Sequence, residues 1–145
     1  MRAIDFNEFG AASVLQLTEL PEPAVRPHDL LVRVRAAGVN RADVLHRQGH
    51  YGRSDFGDSS LMGLEIAGEV VAMGNEVRQW RLGDRVMGIV GGGAYAEFAR
   101  MDYRMAMAIP GRVDYVQAAA IPEVFVTAHE ALVHLGRLVT GESVL

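Results

Sequence analysis

The chain has 145 residues, half of them apolar, with a net charge of -4 and an isoelectric point near 5.7. A chain of this length buries roughly two thirds of its unfolded surface, so one compact domain is expected, and its scattered arginines exclude the basic face that nucleic-acid binding requires. The absence of cysteine excludes disulfides, a thiolate nucleophile and thiolate metal ligands. No apolar run approaches the ~20 residues of a membrane span, and the start lacks the apolar core of a secretory signal. We therefore expect a cytoplasmic protein without a membrane or nucleic-acid partner.

The first part of the chain alternates between apolar and polar residues, as half-buried strands do. The alternating segments are MRAIDF (1–6), VLQLTEL (14–20) and DLLVRVRAAGV (29–39). PEPAVRPHD, at 21–29, holds three of the five prolines and predicts a loop. These segments predict short strands of a mainly antiparallel sheet.

A short helix and further strands are predicted next. In NRADVLHRQG, Asn40 is a candidate helix cap, Asp43 lies in the first turn and Gly49 ends the helix. The polar segment YGRSDFGDSS (51–60) predicts a mobile loop. Strands resume in EIAGEVVAM (65–73), DRVMGIV (84–90) and AYAEFA (94–99). Several short strands with regular turns favour a small barrel or sandwich.

The pattern becomes helical after Pro110. DYVQAAAIP (114–122) and VFVTAHEALVHLGRL (124–138) carry apolar residues at helical spacing, which predicts two helices. TGESVL, at 140–145, has the composition of a strand. Because no later strand is available to pair with it, the sequence suggests a chain cut at the start of another domain.

Two motif-like stretches are rejected as functional sites, and a third motif is absent. His129 and His134 in HEALVH are five residues apart, so on a helix they point about 140° from each other and cannot share a metal. The glycines at 91–93 precede an alternating segment and not a helix N-terminus, so they predict a turn and not a phosphate site. No G-x-G-x-x-G dinucleotide fingerprint occurs.

Five blocks nevertheless carry a family resemblance in their order and separation. They are AAGVNRADVLHRQGHY, GLEIAGEV, GDRVMG, AAAIPEVFVTAHEAL and GESVL. Together they resemble the medium-chain dehydrogenase/reductase superfamily, and in particular its zinc-independent quinone oxidoreductase branch.

The resemblance implies a domain organisation. It implies a mainly β, GroES-like (chaperonin-10-like) barrel as catalytic domain over 1–121. Residues 122–145 would then be a linking helix and the first strand of a truncated nucleotide-binding Rossmann domain. It also implies NADPH as cofactor, bound mainly by the missing domain, a small quinone or enone as substrate, and a homodimer as the intact protein.

The resemblance also bears on zinc. In zinc-dependent relatives the position of Asn40 carries a cysteine ligand, and that of Leu64 carries a histidine. An amide and an isobutyl group cannot replace thiolate and imidazole in a tetrahedral zinc site. We therefore expect no catalytic zinc, a substrate whose conjugation spreads the developing negative charge, and Leu64 in the substrate pocket.

Glu65 is a single carboxylate in an apolar run. We expect it to be a structural residue held by backbone N–H groups or an arginine, in preference to a direct catalytic role, because buried carboxylates are usually paired for structural reasons.

Three further residues are candidates for the site. Tyr51 matches the tyrosine that this branch places at the cleft mouth, where it would orient the acceptor oxygen; the alternative is an aromatic that only covers the site. Asn40 is assigned to cofactor binding, with its amide donating to the cofactor or substrate; a helix cap explains the same residue without such a role, and the two roles are compatible. Thr127 falls where relatives approach the nicotinamide; its alternative is a hydroxyl bonded to its own helix. Arg41 and Asp43 are expected to be a surface pair or helix-terminus charges.

Two other functions stay open. One is a non-catalytic GroES-like binding or oligomerisation module, which would not need the linking helix. The other is an enoyl-thioester reductase of the same superfamily, which would want a basic patch that the sequence lacks. The segment GRSDFGDSS replaces a proline-rich turn common in the branch, which leaves the substrate's shape open.

Overall fold

The computed structural model of the chain describes residues 1–51 and 59–145. The segment predicted to be a mobile loop falls mostly on residues 52–58, which lie outside the described residues. Across the described ranges, no helix has both the length and the apolar character needed to cross a membrane.

Within the described residues seven strands form two antiparallel sheets, so the prediction of a mainly β protein with short helices is confirmed. The strands are β1 (Arg2–Asp5), β2 (Gln16–Glu19), β3 (Asp29–Ala37), β4 (Glu65–Met73), β5 (Arg85–Ile89), β6 (Phe98–Asp102) and β7 (Ala106–Ala108). One sheet has the order β6-β3-β4-β5-β7, and the other is the hairpin β1-β2. The β1-β2 hairpin contacts the segment before β6 through an isolated antiparallel β-bridge between Ala3 and Ala96.

The helices are short and follow the predicted order. They are α1 (Arg41–Arg47), α2 (Tyr115–Ala119) and α3 (Pro122–His129), and α3 continues as a π-helix over Glu130–Leu135. The last residues, 142–145, are not assigned to a strand, which differs from the expectation for TGESVL. A strand needs a neighbour to satisfy its backbone groups, and the segment is paired with none of the described strands.

Both faces of the larger sheet bury side chains. Consecutive strand residues point to opposite faces, and Ile66 and Ala67, both fully buried, belong to different clusters. The main core contains Leu30, Val32, Ile66, Val70, Val77, Val86, Val90, Ala94, Ala99 and Met101. The second cluster packs α2 against the sheet through Ala67, Met87, Ile109, Ala118 and Ala119.

One strand prediction was misplaced. AYAEFA was expected to be a strand, but the ladder of β6 with β3 begins only at Phe98. Before that point Tyr95 O accepts a hydrogen bond from Ile4 N, 2.8 Å away, and Glu97 N donates one to Arg2 O, 3.0 Å away, so residues 95–97 pair with β1. The segment does alternate between apolar and polar residues, but its pairing partner changes from β1 to β3 at Phe98. The short β7, paired with β5 at Val86 and Ala108, was not predicted.

Candidate active site

Glu65 is the first residue of β4, and it is 2% exposed. Asn40 Nδ2 donates a hydrogen bond to Glu65 Oε1 at 2.8 Å, and Glu123 N donates one to Oε2 at 2.9 Å. Both carboxylate oxygens are therefore satisfied, by a side-chain amide and a backbone N–H. The expectation that backbone N–H groups hold Glu65 is met by Glu123, and the second partner is an amide in place of an arginine.

Asn40 occupies the N-cap of α1. It forms a capping box with Asp43, in which Asp43 Oδ2 accepts a hydrogen bond from Asn40 N at 2.7 Å. The extended backbone of Asn40, with φ -114° and ψ 161°, is usual for this position. The capping prediction is confirmed, and the same side chain also joins α1 to Glu65. The assignment of Asn40 to cofactor binding stays a prediction.

Asp43 was expected to belong to a surface pair or to be a helix-terminus charge, and the structure places it in the first turn of α1. It does not lie at the surface: it is 2% exposed and accepts a second hydrogen bond from the Tyr95 hydroxyl at 2.8 Å. Its other oxygen, Oδ1, is buried without a hydrogen-bond partner among the residues that the structure describes. The N-x-x-D spacing resembles a capping box and could have indicated that Asp43 faces its own helix N-terminus. The contact with Tyr95 had no local signal.

The two buried carboxylates change the titration of their neighbours. Burial, followed by the hydrogen bond to Asp43 and the charges of Asp43 and Glu65, raises the pKa of Tyr95 above its usual range. Burial, followed by the charges of Glu65 and Asp43, raises the pKa of the Glu123 carboxyl. The region where α1, β4 and α3 meet is therefore negative and favours protonated or cationic groups.

Replacing Tyr95 by phenylalanine is expected to lower the free energy of unfolding at neutral pH by about 2 kcal/mol, since a hydrogen bond to a charged group is lost. Because the folded pKa of Tyr95 is raised, its contribution is complete below the pKa of an unfolded tyrosine, about 10, and declines as pH rises above it. The Tyr95→Phe variant should therefore lose less stability than wild type above that pH. Urea unfolding at a series of pH values measures both effects.

The chain is well suited to this alkaline measurement. All 14 of its basic Lys and Arg residues are arginine, and it has no cysteine, so tyrosines dominate its side-chain titration above pH ~9. Tyr103→Phe is the control, because Tyr103 lies beside His28 with ring centroids 6.3 Å apart. Identical pH dependence in wild type and Tyr95→Phe would contradict the prediction.

The remaining predicted residues lie on three separate elements. Leu64 immediately precedes β4 and is 8% exposed, with its carbonyl accepting a hydrogen bond from Val90 N at 2.8 Å. Tyr51 is half-buried and Thr127 is exposed on α3. The structure brings Asn40 and Glu65 together, while the roles of Tyr51, Leu64 and Thr127 stay predictions.

The donor set around Leu64 and Asn40 does not suit zinc. An aliphatic side chain offers no ligand, and the Asn40 amide nitrogen points at a carboxylate and has no lone pair to give. In residues 1–51 and 59–145 no three histidine, aspartate or glutamate side chains cluster closely enough to hold a metal ion.

Comparison with known proteins gives matches over most of the chain. Residues 26–111 match the protein family described as the alcohol dehydrogenase GroES-like domain. A quinone oxidoreductase from Lama guanicoe is 38% identical over 148 residues, covering 100% of this chain and 44% of that protein. The chain therefore spans less than half the length of this relative.

Solved structures match the fold closely. Escherichia coli quinone oxidoreductase complexed with NADPH gives a TM-score of 0.82 at 28% identity, covering 91% of this chain and 40% of that chain. CurK enoyl reductase gives a TM-score of 0.86 at 25% identity, covering 97% of this chain and 45% of that chain.

Proposed function

The chain belongs to the family of alcohol dehydrogenase GroES-like domains, and on that basis we propose that it is the substrate-side domain of an NADPH-dependent oxidoreductase reducing quinones or related conjugated carbonyls without zinc. Similarity to a quinone oxidoreductase over the whole chain supports the reaction class. The structural likeness to an NADPH complex supports the cofactor. The observation that carries the proposal is the hydrogen bond from Asn40 to Glu65, beside Leu64.

This hydrogen bond bears on how the acceptor is activated. It uses the Asn40 side chain to hold a buried carboxylate, where zinc-dependent relatives would use that position as a ligand. Without a Lewis acid, negative charge on the acceptor oxygen must be stabilised by hydrogen-bond donors and by conjugation within the acceptor. Quinones and conjugated carbonyls meet this requirement better than simple aldehydes do.

The chain's own residues would bind and orient the reactants. NADPH supplies the hydride when bound. The Tyr51 hydroxyl is proposed to donate a hydrogen bond to the acceptor oxygen, because a phenolic O–H is a hydrogen-bond donor. Leu64 is proposed to line the substrate pocket, and Thr127 to contact the cofactor. An amide nitrogen carries two hydrogens, so Asn40 keeps one for a ligand after donating to Glu65.

Exposed apolar side chains on α3 and the following π-helix support the proposed domain division into 1–121 and 122–145. Phe125 is 66% exposed and Leu135 is 70% exposed. Contiguous exposed apolar side chains usually mark a packing surface. We propose that this surface packs against the nucleotide-binding domain of the complete enzyme, which would act as a cytoplasmic homodimer.

The Tyr51→Phe variant of the full-length gene product tests the site. We expect kcat for quinone reduction to fall at least about tenfold, since general acid and hydrogen-bond donors contribute on the order of 100-fold or more. The measurement is NADPH oxidation with ortho-quinones, para-quinones and enones.

Tyr103→Phe is the matched control, because Tyr103 packs beside His28 and has no proposed role in the site. Unchanged rates in Tyr51→Phe would remove Tyr51 from the mechanism, and stoichiometric zinc in the purified native protein would overturn the zinc-free proposal.

Enoyl-thioester reduction is the second candidate, favoured by the likeness to CurK enoyl reductase. It uses the same hydride donor on a conjugated carbon–carbon double bond. A panel containing enoyl thioesters beside quinones distinguishes the two by kcat/KM. A failure to oxidise NADPH with either class would favour the non-catalytic binding module.

A further inference from the structure

The N-terminus of α3 lacks a cap from its own sequence. The residue at the N-cap, Ile121, has no polar side chain and makes no capping hydrogen bond. The first N–H groups of a helix need acceptors from outside the helix. Pro122 has no N–H, and the next one, at Glu123, donates to Glu65 Oε2 at 2.9 Å. A carboxylate from β4 thus takes the capping role, 58 residues away in sequence.

The carboxylate is fixed on its other sides. Asn40 Nδ2 donates to Oε1 at 2.8 Å, and a carboxylate only accepts hydrogen bonds, so the amide must turn its nitrogen toward Glu65. A Cβ at Gly38 would lie 2.1 Å from Glu65 Oε1, so the side chain fills the space beside β3. Glu65 therefore holds one position between α1 and α3.

We propose that Glu65 is a positioning residue: by capping α3 while held by Asn40, it sets the place of that helix, and hence of Thr127, relative to the catalytic cleft. Thr127 lies four residues beyond Glu123 on the same helix, about one turn away. The consequence for Thr127 rests on the proposed function, because only there does Thr127 contact the cofactor. The capping of α3 by Glu65 is independent of that function.

Exchanging the hydrogen-bond donor and acceptor between positions 40 and 65 tests this role. It distinguishes capping of α3 by residue 65 from a general need for a carboxylate at that position. In Glu65→Gln the carboxamide oxygen can accept from Asn40 or from Glu123 but not from both. The Asn40 amide cannot reverse to offer its oxygen without giving up its part in the capping box with Asp43, so the bond to Glu123 N is lost or weakened by competition. In the double variant Asn40→Asp/Glu65→Gln the carboxamide nitrogen introduced at position 65 donates to the carboxylate introduced at position 40. The oxygen of that carboxamide is then free to accept from Glu123 N. Aspartate is also a good N-cap, so α1 keeps its cap.

The first readout is amide hydrogen exchange at Glu123. In wild type we expect this amide to be protected although it lies in the first turn. Glu65→Gln should reduce the protection at least about tenfold, which is the effect of losing a hydrogen bond to a charged group, and the double variant should restore most of it. Glu69→Gln is the matched control, because Glu69 lies on the same strand but bonds Arg35 and Tyr115.

The second readout is the Kd of the full-length gene product for NADPH, measured by fluorescence. We expect Glu65→Gln to weaken NADPH binding severalfold, because α3 and Thr127 lose their fixed position. The double variant is assessed by hydrogen exchange alone, because Asn40 is itself proposed to contact the cofactor. An unprotected Glu123 amide in wild type would overturn the proposal without any variant having to fold. The proposal would also be overturned if Glu65→Gln lost protection of the Glu123 amide but bound NADPH as tightly as wild type. A protected Glu123 amide in a protein that oxidises no NADPH would contradict the proposed function and leave the capping in place.

Discussion

Replacing Gly68 by alanine is expected to lower the free energy of unfolding by at least about 3 kcal/mol, the upper range for overpacking a core. A Cβ at this position would lie 2.2 Å from the Arg33 carbonyl oxygen and 2.7 Å from Val32 Cγ1. Gly68 sits mid-strand in β4, paired with Val34 on one side and Val86 on the other. Since the nearest atom is backbone, relief would require separating β3 from β4 and breaking hydrogen bonds at the centre of the sheet.

Gly111→Ala is the matched control for Gly68→Ala. A Cβ at Gly111 would meet nothing within 4 Å, so this change should be neutral or stabilise by up to about 1 kcal/mol through the unfolded chain. Urea unfolding of both variants measures the difference. Equal stability of the two variants would show that β3 and β4 do not approach as closely as the structure has them.

Leu30→Ala is expected to lower the free energy of unfolding by about 3 kcal/mol, the usual cost of removing a buried leucine side chain. Leu30 is 0% exposed and lies on β3 between Met73 of β4 and Met101 of β6. Neighbouring strands hold the backbone on both sides, so the cavity cannot close by a simple shift. The loss should appear as a lower urea midpoint with an unchanged slope.

The control for the core substitution is Leu17→Ala. Leu17 lies on β2 and is 67% exposed, so its truncation should change the stability by less than about 0.5 kcal/mol. A large loss at Leu17 together with a small one at Leu30 would place the core elsewhere than in the five-stranded sheet.

Much of the fold was predictable because its signals are local. The alternation in EIAGEVVAM predicted β4 with its observed bounds, and Asn40 and Gly49 bracketed α1 as expected. The five sequence blocks predicted a GroES-like domain, and the family match over 26–111 confirms it. The misplacement of β6 has a physical reason: alternation reports that one face is buried, but not which strand supplies the hydrogen bonds.

The candidate site was only partly predictable. The sequence identified Glu65 as a carboxylate needing partners, and Asn40 as a cap. It gave no indication that Asn40 would be one partner and the Glu123 N–H the other, or that Asp43 would be buried against Tyr95. These contacts join residues separated by 25, 58 and 52 positions, and no periodicity or turn preference extends so far.

Residue types and their spacing determined by themselves that this chain forms antiparallel strands and that it has no cysteine for thiolate chemistry. The packing of α1 and α3 against β4 decided which buried polar groups meet. The reason is that a buried carboxylate is tolerated only when donors arrive at both oxygens. The supply of those donors depends on how distant segments pack, which the sequence specifies only through the whole fold.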